Sequence, residues 1–118
     1  MIKSFTDLEV YQLSYQLAME VFKTAKSFPS NEKYSLTSQI IRSTRSISAN
    51  IAEGYGKRVY VSEFKKHLVY SIGSLEESKV WLSFAKDCEY ISLEQQQSLL
   101  SKTDEIGAKL NKLYSNWK

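Results

Sequence analysis

The sequence contains few of the residues that interrupt helices or build special sites. It has one proline, Pro29, and four glycines among 118 residues, so long helices fit along most of its length. The single cysteine, Cys88, excludes an intramolecular disulfide and a cysteine-ligated zinc cluster.

No apolar run approaches the roughly 20 residues of a membrane-spanning helix. The first residues lack the apolar core of a signal peptide, and we expect a cytoplasmic protein that does not associate with membranes.

Histidine is as scarce as cysteine, and this bears on catalysis. His67 is the only histidine, and along one helix it lies roughly 30 Å from Cys88 at 1.5 Å per residue. The two therefore form no nucleophile–base pair within one subunit. Glu76 and Glu77 with one histidine are too few ligands for a metal site, and no glycine-rich phosphate loop is present. We expect no enzymatic activity, no catalytic residue, no metal and no cofactor.

The residues that are present describe a folded domain with a locally basic region. Apolar residues make up 42% and charged residues 25% of the chain, which is typical of a globular protein. The length fits one domain over residues 1–118. The net charge is only +3, but six Lys and Arg accompany two acids between residues 42 and 67. This uneven distribution predicts a basic surface.

Four helical segments with short connections are predicted. Their starts are indicated by capping residues and their ends by proline and glycine. The predicted starts are Thr6, in a capping box with Glu9, then Ser30, Ser62, and Ser92, in a second box with Gln95; the predicted ends are Phe28–Pro29, Gly54-Tyr55-Gly56 and Cys88. Because short connections make neighbouring helices antiparallel, the predicted fold is all-α, an antiparallel up-down-up-down four-helix bundle.

A core-facing stripe is predicted on each helix from residues that recur every three or four positions. The predicted core residues are Leu8, Tyr11, Tyr15, Ala18, Phe22 and Ala25 in the first helix; Leu36, Ile40, Ser43, Ile47, Asn50, Ile51 and Gly54 in the second; Val61, Phe64, Leu68, Ile72, Leu75 and Leu82 in the third; and Leu93, Leu99, Leu100, Ile106, Leu110, Leu113 and Tyr114 in the fourth.

A second stripe of apolar and small residues runs along three of the helices. Such a stripe either forms a subunit interface or widens the core, and single exposed aromatics are ordinary. The second-stripe residues are Val10, Leu13, Leu17 and Val21; Ile41, Ser48, Ala52 and Tyr55; and Tyr70, Gly73, Ser74, Glu77, Trp81, Phe84 and Cys88. We favour a homo-oligomer whose interface contains Tyr70, Ser74, Trp81 and Phe84.

Polar residues also occur near the predicted core face of the second helix. Asn50 projects toward that face, and Glu53 lies one turn away on its flank, near Arg42. Since buried polar groups need hydrogen-bond partners, we predict a structural network. In it Asn50 bonds a neighbouring helix and Glu53 pairs with an arginine. A ligand site is the alternative interpretation.

The best functional candidate is the basic region around the second turn. Its cations attract phosphates with little base readout, and its tyrosines can stack on bases. The predicted nucleic-acid-binding residues are Lys57, Arg58, Lys65, Lys66, Tyr55 and Tyr60. The alternative is a solvated helix end, where Lys57 and Arg58 only favour the C-terminal dipole.

Six sequence blocks together resemble a known family. They are FxDLEVYQ over residues 5–12, FP with Glu32, LxxQIxR over 36–42, SISANIAEG over 46–54, Glu63-Phe64 and GSLEE over 73–77. In this order they resemble the 23S rRNA intervening-sequence proteins, also called the S23-type family, over essentially the whole chain.

The resemblance implies a bacterial four-helix bundle, a ring-like homopentamer and an RNA-related role without enzymatic activity. It also implies kinship to the accessory variability proteins of diversity-generating retroelements, which bind a reverse transcriptase and nucleic acid. Two functional hypotheses result. One is an oligomer that binds RNA or DNA or scaffolds a nucleoprotein assembly. The other is an adaptor that docks a protein partner through the stripe of Tyr70, Trp81 and Phe84.

Overall fold

Four long helices carry the fold, and the computed structural model describes all residues from Met1 to Lys118. They are α1 over Glu9–Ala25, α2 over Leu36–Gly56, α3 over Val61–Asp87 and α4 over Leu93–Asn116. Helices α1 and α3 each contact both α2 and α4, in a body of 44 × 25 × 21 Å. The predicted all-α four-helix bundle is confirmed. None of the four helices combines the length and apolarity needed to cross a membrane.

Three of the predicted helix boundaries are confirmed, and one of them is the end of α3, whose last residue is Asp87 and whose C-cap is Cys88. The N–H of Gln95 donates to Ser92 Oγ at 3.0 Å, and the N–H of Ser92 donates to Gln95 Oε1 at 2.8 Å. This reciprocal capping box begins α4. Helix α2 ends at Gly56, as predicted. Helix α3 begins at Val61, one residue before Ser62, and has no side-chain cap.

The cap predicted at Thr6 was wrong. Ser4 instead caps a short 3-10 turn over Phe5–Asp7, where its Oγ accepts the N–H of Thr6 at 3.2 Å. Asp7 completes the box by accepting the N–H of Ser4 at 3.1 Å. Ser4 and Asp7 have the capping-box spacing two residues earlier in the chain, and α1 begins only at Glu9.

The start predicted for the second helix at Ser30 was also wrong. Ser30 opens a 3-10 turn that ends at Glu32, and α2 begins at Leu36. The carboxylate of Glu32 accepts hydrogen bonds from the Ser35 hydroxyl and from the N–H of Leu36, the latter at 3.3 Å. An acid outside the helix thus satisfies one of the free N–H groups of its first turn.

The core at the first helix keeps Leu8, Ala18 and Ala25 of the predicted stripe, but residues of the second stripe take the place of the predicted aromatics. Tyr15 is 53% exposed, and Tyr11 and Phe22 are only half-buried. The buried residues of α1 are Val10, Ser14, Leu17, Ala18, Val21 and Ala25. Three residues of the predicted second stripe therefore belong to the core. Ser48 and Tyr55 are also buried, whereas Val61, Leu93 and Tyr114, predicted for the core, are exposed.

Small and polar side chains let α2 and α3 pack closely. Ser71 Oγ donates to the carbonyl of Ile47 at 2.9 Å, and Ser78 Oγ donates to Ser43 Oγ at 2.8 Å. At Gly54 a Cβ atom would lie only 2.6 Å from the Cβ of His67. The two helices therefore approach closely along this part of α2, which places the polar residues of α2 directly against α3.

The connection from α3 to α4 is fastened to the start of α2 by Tyr90. Its hydroxyl donates to Glu32 at 2.8 Å, and its ring centroid lies 5.5 Å from that of Phe28. The hydrogen bond to the Glu32 carboxylate, together with burial, raises the pKa of Tyr90 to about 12. The folded protein therefore favours the neutral phenol more strongly than the unfolded chain does.

We expect this pKa shift to make folding stability depend on alkaline pH. An unfolded tyrosine has a pKa of about 10, so the contribution of Tyr90 is complete below pH 10 and is lost as pH rises toward 12. Tyr90→Phe should flatten the decrease of the unfolding free energy across this window, measured by urea unfolding. Tyr34→Phe, at an exposed ring, is the control. An unchanged slope in Tyr90→Phe would contradict the assignment.

Candidate nucleic-acid interface

The six predicted nucleic-acid-binding residues lie at the end of the bundle where α2 turns into α3, which we call the basic end. Arg58 stacks there on Tyr55, with its guanidinium carbon 4.1 Å from the ring centroid. Arg58 also donates to the carbonyl of Tyr55 at 3.0 Å. Tyr55 itself is buried against Phe64, so it supports the arginine and is not free to stack on a base.

Lys65 is held over an aromatic ring in a similar way. Its Nζ lies 4.9 Å from the centroid of Tyr114 on α4. Trp117, just after α4, packs edge-on against Phe64 with centroids 4.6 Å apart. Neither of these C-terminal aromatics was predicted to belong to the basic end. The antiparallel topology was the available signal, because it places the end of α4 beside the start of α3.

The other two predicted cations are paired with acids. Lys66 lies 3.0 Å from Glu63, and this hydrogen-bonded ion pair raises the pKa of Lys66 and lowers that of Glu63. Lys57 lies 3.4 Å from Glu53. Arg58 and Lys65 contact aromatic rings and have no such carboxylate. The basic end therefore offers two cations that are free of acidic partners and two whose charge is already offset.

One tyrosine of the basic end is available for contact with a ligand. Tyr60 is 68% exposed and immediately precedes α3. Its ring is on the surface near Arg58 in sequence, whereas Tyr55 is enclosed. An exposed ring next to a cation has the two features that favour a stacked base and its phosphate.

Behind the basic end lies a polar network built around a buried histidine. His67 is only 5% exposed. Its Nδ1 lies 3.1 Å from Asn50 Oδ1 and its Nε2 lies 3.1 Å from Lys57 Nζ. Because an ammonium only donates, Nε2 accepts from Lys57 and Nδ1–H donates to Asn50. The amide nitrogen of Asn50 donates to the carbonyl of Ser46 at 3.0 Å, so both ends of the amide are satisfied.

Only part of the predicted network is assembled in the structure. Asn50 bonds α3 through His67, and Glu53 lies 3.8 Å from His67. The cationic partner of Glu53 is Lys57 rather than an arginine. Arg42 lies farther along α2, where it pairs with Glu77 at 3.2 Å. The structure therefore joins Asn50 and Glu53 through residues that the prediction did not include, and it leaves Arg42 outside.

The predicted interface residues fall on the outer side of the α2–α3 pair. Tyr70 and Phe84 are about half exposed, while Ser74 is turned toward α2 and donates to Ser46 at 3.0 Å. The ring centroids of Trp81 and Phe84 lie 5.9 Å apart. A cavity of about 330 Å³ opens here, the α2–α3 groove, lined by Glu32, Ser35, Leu36, Gln39, Trp81, Phe84 and Cys88.

Comparison with known proteins identifies relatives of this arrangement. Residues 6–112 match the family model of the 23S rRNA-intervening sequence protein. A crystal structure from Bacteroides thetaiotaomicron VPI-5482, described as a protein with unknown function from the S23 ribosomal protein family, superposes with a TM-score of 0.82. The two sequences are 27% identical, and the match covers 91% of this chain and 96% of the other. A comparison with curated proteins finds no significant match.

Proposed function

The chain belongs to the 23S rRNA-intervening sequence protein family, and from this membership and the basic end of its bundle we propose a non-enzymatic, cytoplasmic homo-oligomer that binds RNA or another nucleic acid. The observation that carries the proposal is the pair of cations without acidic partners. Arg58 and Lys65 are each supported on an aromatic ring, and the exposed Tyr60 lies nearby in the chain. Phosphates supply the counter-charge that these side chains lack.

Self-association strengthens the proposed nucleic-acid binding, because it repeats the basic end once in every copy. A single basic end presents two cations without acidic partners. Binding through so few phosphate contacts is weak and sensitive to salt. Several copies held together present the same end several times along one strand. The second contact then forms at a high effective concentration, which raises avidity without a stronger individual site. The pentamer that the family resemblance implies would provide five such ends.

We expect the free cations to matter more than the paired ones. Arg58→Ala/Lys65→Ala should weaken binding of a structured RNA by about tenfold or more and reduce the salt slope by roughly 1 for each lost phosphate contact. Lys57→Ala/Lys66→Ala removes the same formal charge and is the matched control, with a smaller expected effect because Glu53 and Glu63 already pair with these lysines. Fluorescence anisotropy at several salt concentrations measures both.

The outcome of this comparison separates several explanations. Equal losses in the two double variants would show that total charge, rather than the ring-supported cations, determines affinity. Unchanged affinity in both would remove the basic end as the binding surface. Absence of binding by the unaltered protein even at low salt, with RNA and with duplex DNA, would overturn the nucleic-acid proposal.

A second candidate function is favoured by the α2–α3 groove. Its exposed Phe84 beside Trp81 suits the apolar face of a partner helix, as in helix-in-groove recognition. In this role the chain is an adaptor for another protein. The two candidates differ experimentally, because Trp81→Ala should abolish capture of a protein partner, whereas Arg58→Ala/Lys65→Ala should leave that capture intact.

A further inference from the structure

An exposed apolar stripe on α1 has no covering element within the chain. We call Tyr15, Met19 and Phe22 the α1 stripe, since they recur at the four- and three-residue spacing of one helix face. Tyr15 is 53% and Met19 is 39% exposed. Two cations lie over the ring of Phe22, Lys26 at 5.1 Å and Arg45 at 5.6 Å. The stripe is thus a raised apolar surface with a positively charged end.

The α2–α3 groove has the complementary properties. It is concave, and its apolar lining includes the exposed Phe84 and the partly buried Trp81. At its rim lies Glu32, which accepts hydrogen bonds from Ser35 and Tyr90 but from no lysine or arginine. Those hydrogen bonds lower the pKa of Glu32 and keep the carboxylate ionised. The groove is therefore an apolar recess with an anion that lacks a cationic partner.

The two surfaces lie on either side of α2. Arg45 of α2 reaches the α1 stripe at Phe22, whereas Arg42 of α2 reaches Glu77 on α3 beside the groove. One molecule therefore cannot bring its own stripe into its own groove. A second molecule can, because the stripe and the groove occupy neighbouring faces of the bundle.

We propose that the α1 stripe of one copy docks into the α2–α3 groove of a second copy of this chain. This inference rests on the homo-oligomeric part of the proposed function and names the two surfaces that meet. In the contact, Met19 and Tyr15 cover Phe84 and Trp81. The cations at Lys26 and Arg45 face the acid at Glu32, so that each unpartnered charge acquires an opposite one.

Charge favours this head-to-tail contact over a symmetric one. A stripe packed on a second stripe would bring two sets of Lys26 and Arg45 together, and a groove packed on a groove would bring two Glu32 carboxylates together. Like charges at an interface are repulsive. A contact between unlike surfaces leaves one stripe and one groove free on each pair, so further copies can add until the assembly closes.

The test uses two variants that each destroy one surface. Met19→Glu places a charge on the stripe where it covers the apolar groove, and Trp81→Ala/Phe84→Ala removes the apolar lining of the groove. Each variant alone should be monomeric by size-exclusion chromatography with light scattering. An equimolar mixture should contain a heterodimer, because one variant retains an intact stripe and the other an intact groove. Val80→Glu, an exposed α3 position outside both surfaces, should keep the mass of the unaltered protein.

Several outcomes would overturn the docking. An oligomeric Met19→Glu variant would exclude the stripe and leave the homo-oligomer intact. A mixture that stays monomeric would exclude the head-to-tail pairing. A monomeric unaltered protein would remove both this inference and the homo-oligomeric part of the proposed function, while nucleic-acid affinity is tested separately at the basic end. If circular dichroism shows the groove variant to be unfolded, Phe84→Ser replaces it, since Phe84 is half exposed.

Discussion

Gly54→Ala is expected to lower the free energy of unfolding by about 3 kcal/mol, at the upper end of the usual cost of overpacking. The added Cβ would lie 2.6 Å from the Cβ of His67 and 3.1 Å from the ring of Phe64. Neither Cβ can rotate away, because the backbone of α2 fixes the one and the backbone of α3 fixes the other. The two helices must therefore separate at this contact, which weakens the hydrogen bonds between them, such as that from Ser71 to Ile47.

Gly73→Ala is the matched control for this change. Gly73 lies in the interior of α3, and a Cβ there would have nothing within 4 Å. Since alanine favours a helix over glycine by about 1 kcal/mol, this variant should be more stable than the unaltered protein. Urea unfolding followed by circular dichroism measures both, and the two substitutions should shift the midpoint in opposite directions. A shift of equal sign and size would show that α2 and α3 have room to adjust at Gly54.

Local signals were sufficient to predict helix number and several helix ends. The Ser92–Gln95 box and the glycines at the end of α2 depend on neighbouring residues alone, so the sequence is enough to locate them. The same kind of signal failed at Thr6, because Ser4 and Asp7 provide an equivalent box two residues earlier. A capping pattern shows that a helix can begin at a given residue. Where two such patterns overlap, the packing of the segment decides which one is used.

The face of α1 that enters the core could not be chosen from periodicity. Two apolar stripes with the same spacing lie side by side, one with Tyr15 and Phe22 and the other with Leu17 and Val21. Both satisfy the helical period equally. The structure buries the second, and the larger aromatics that are left outside form the α1 stripe. The position of the neighbouring helices makes this choice, and that information is not present within α1.

The sequence was enough to predict which cations lie at the basic end. It was not enough to predict which of them have no acidic partner. Sequence placed four cations at the basic end, and all four are there. Which of them meets an acid depends on side-chain positions: Lys66 reaches Glu63 one turn back, whereas Lys65 turns to Tyr114 on a distant helix. His67 was missed as a network member for the same reason. The requirement that Asn50 find a partner was visible, but the partner lies 17 residues away on α3.

His67→Leu is expected to destabilise the fold by about 2–3 kcal/mol, because it keeps much of the buried volume and removes both hydrogen bonds of the ring. Lys57 is partly exposed and can turn toward water. Asn50 Oδ1 is partly buried and loses its donor, and an acceptor left unsatisfied in the interior costs about 1–3 kcal/mol. The change in unfolding free energy is measured with urea, beside that of Asn50→Ala.

The double variant Asn50→Ala/His67→Leu decides whether the two residues act as a pair. Once the histidine is gone, removing the orphaned amide costs less than it does in the unaltered protein. The sum of the single effects should therefore exceed the effect of the double variant by about 1 kcal/mol. Additive effects would mean that each side chain stabilises the bundle through other contacts.

The affinity of each folded variant for RNA should stay within about twofold of the unaltered protein, because the histidine is buried behind the basic end and Arg58 and Lys65 do not depend on it for their ring contacts. A large loss of affinity with little loss of stability would instead identify the His67–Asn50 pair as a ligand site.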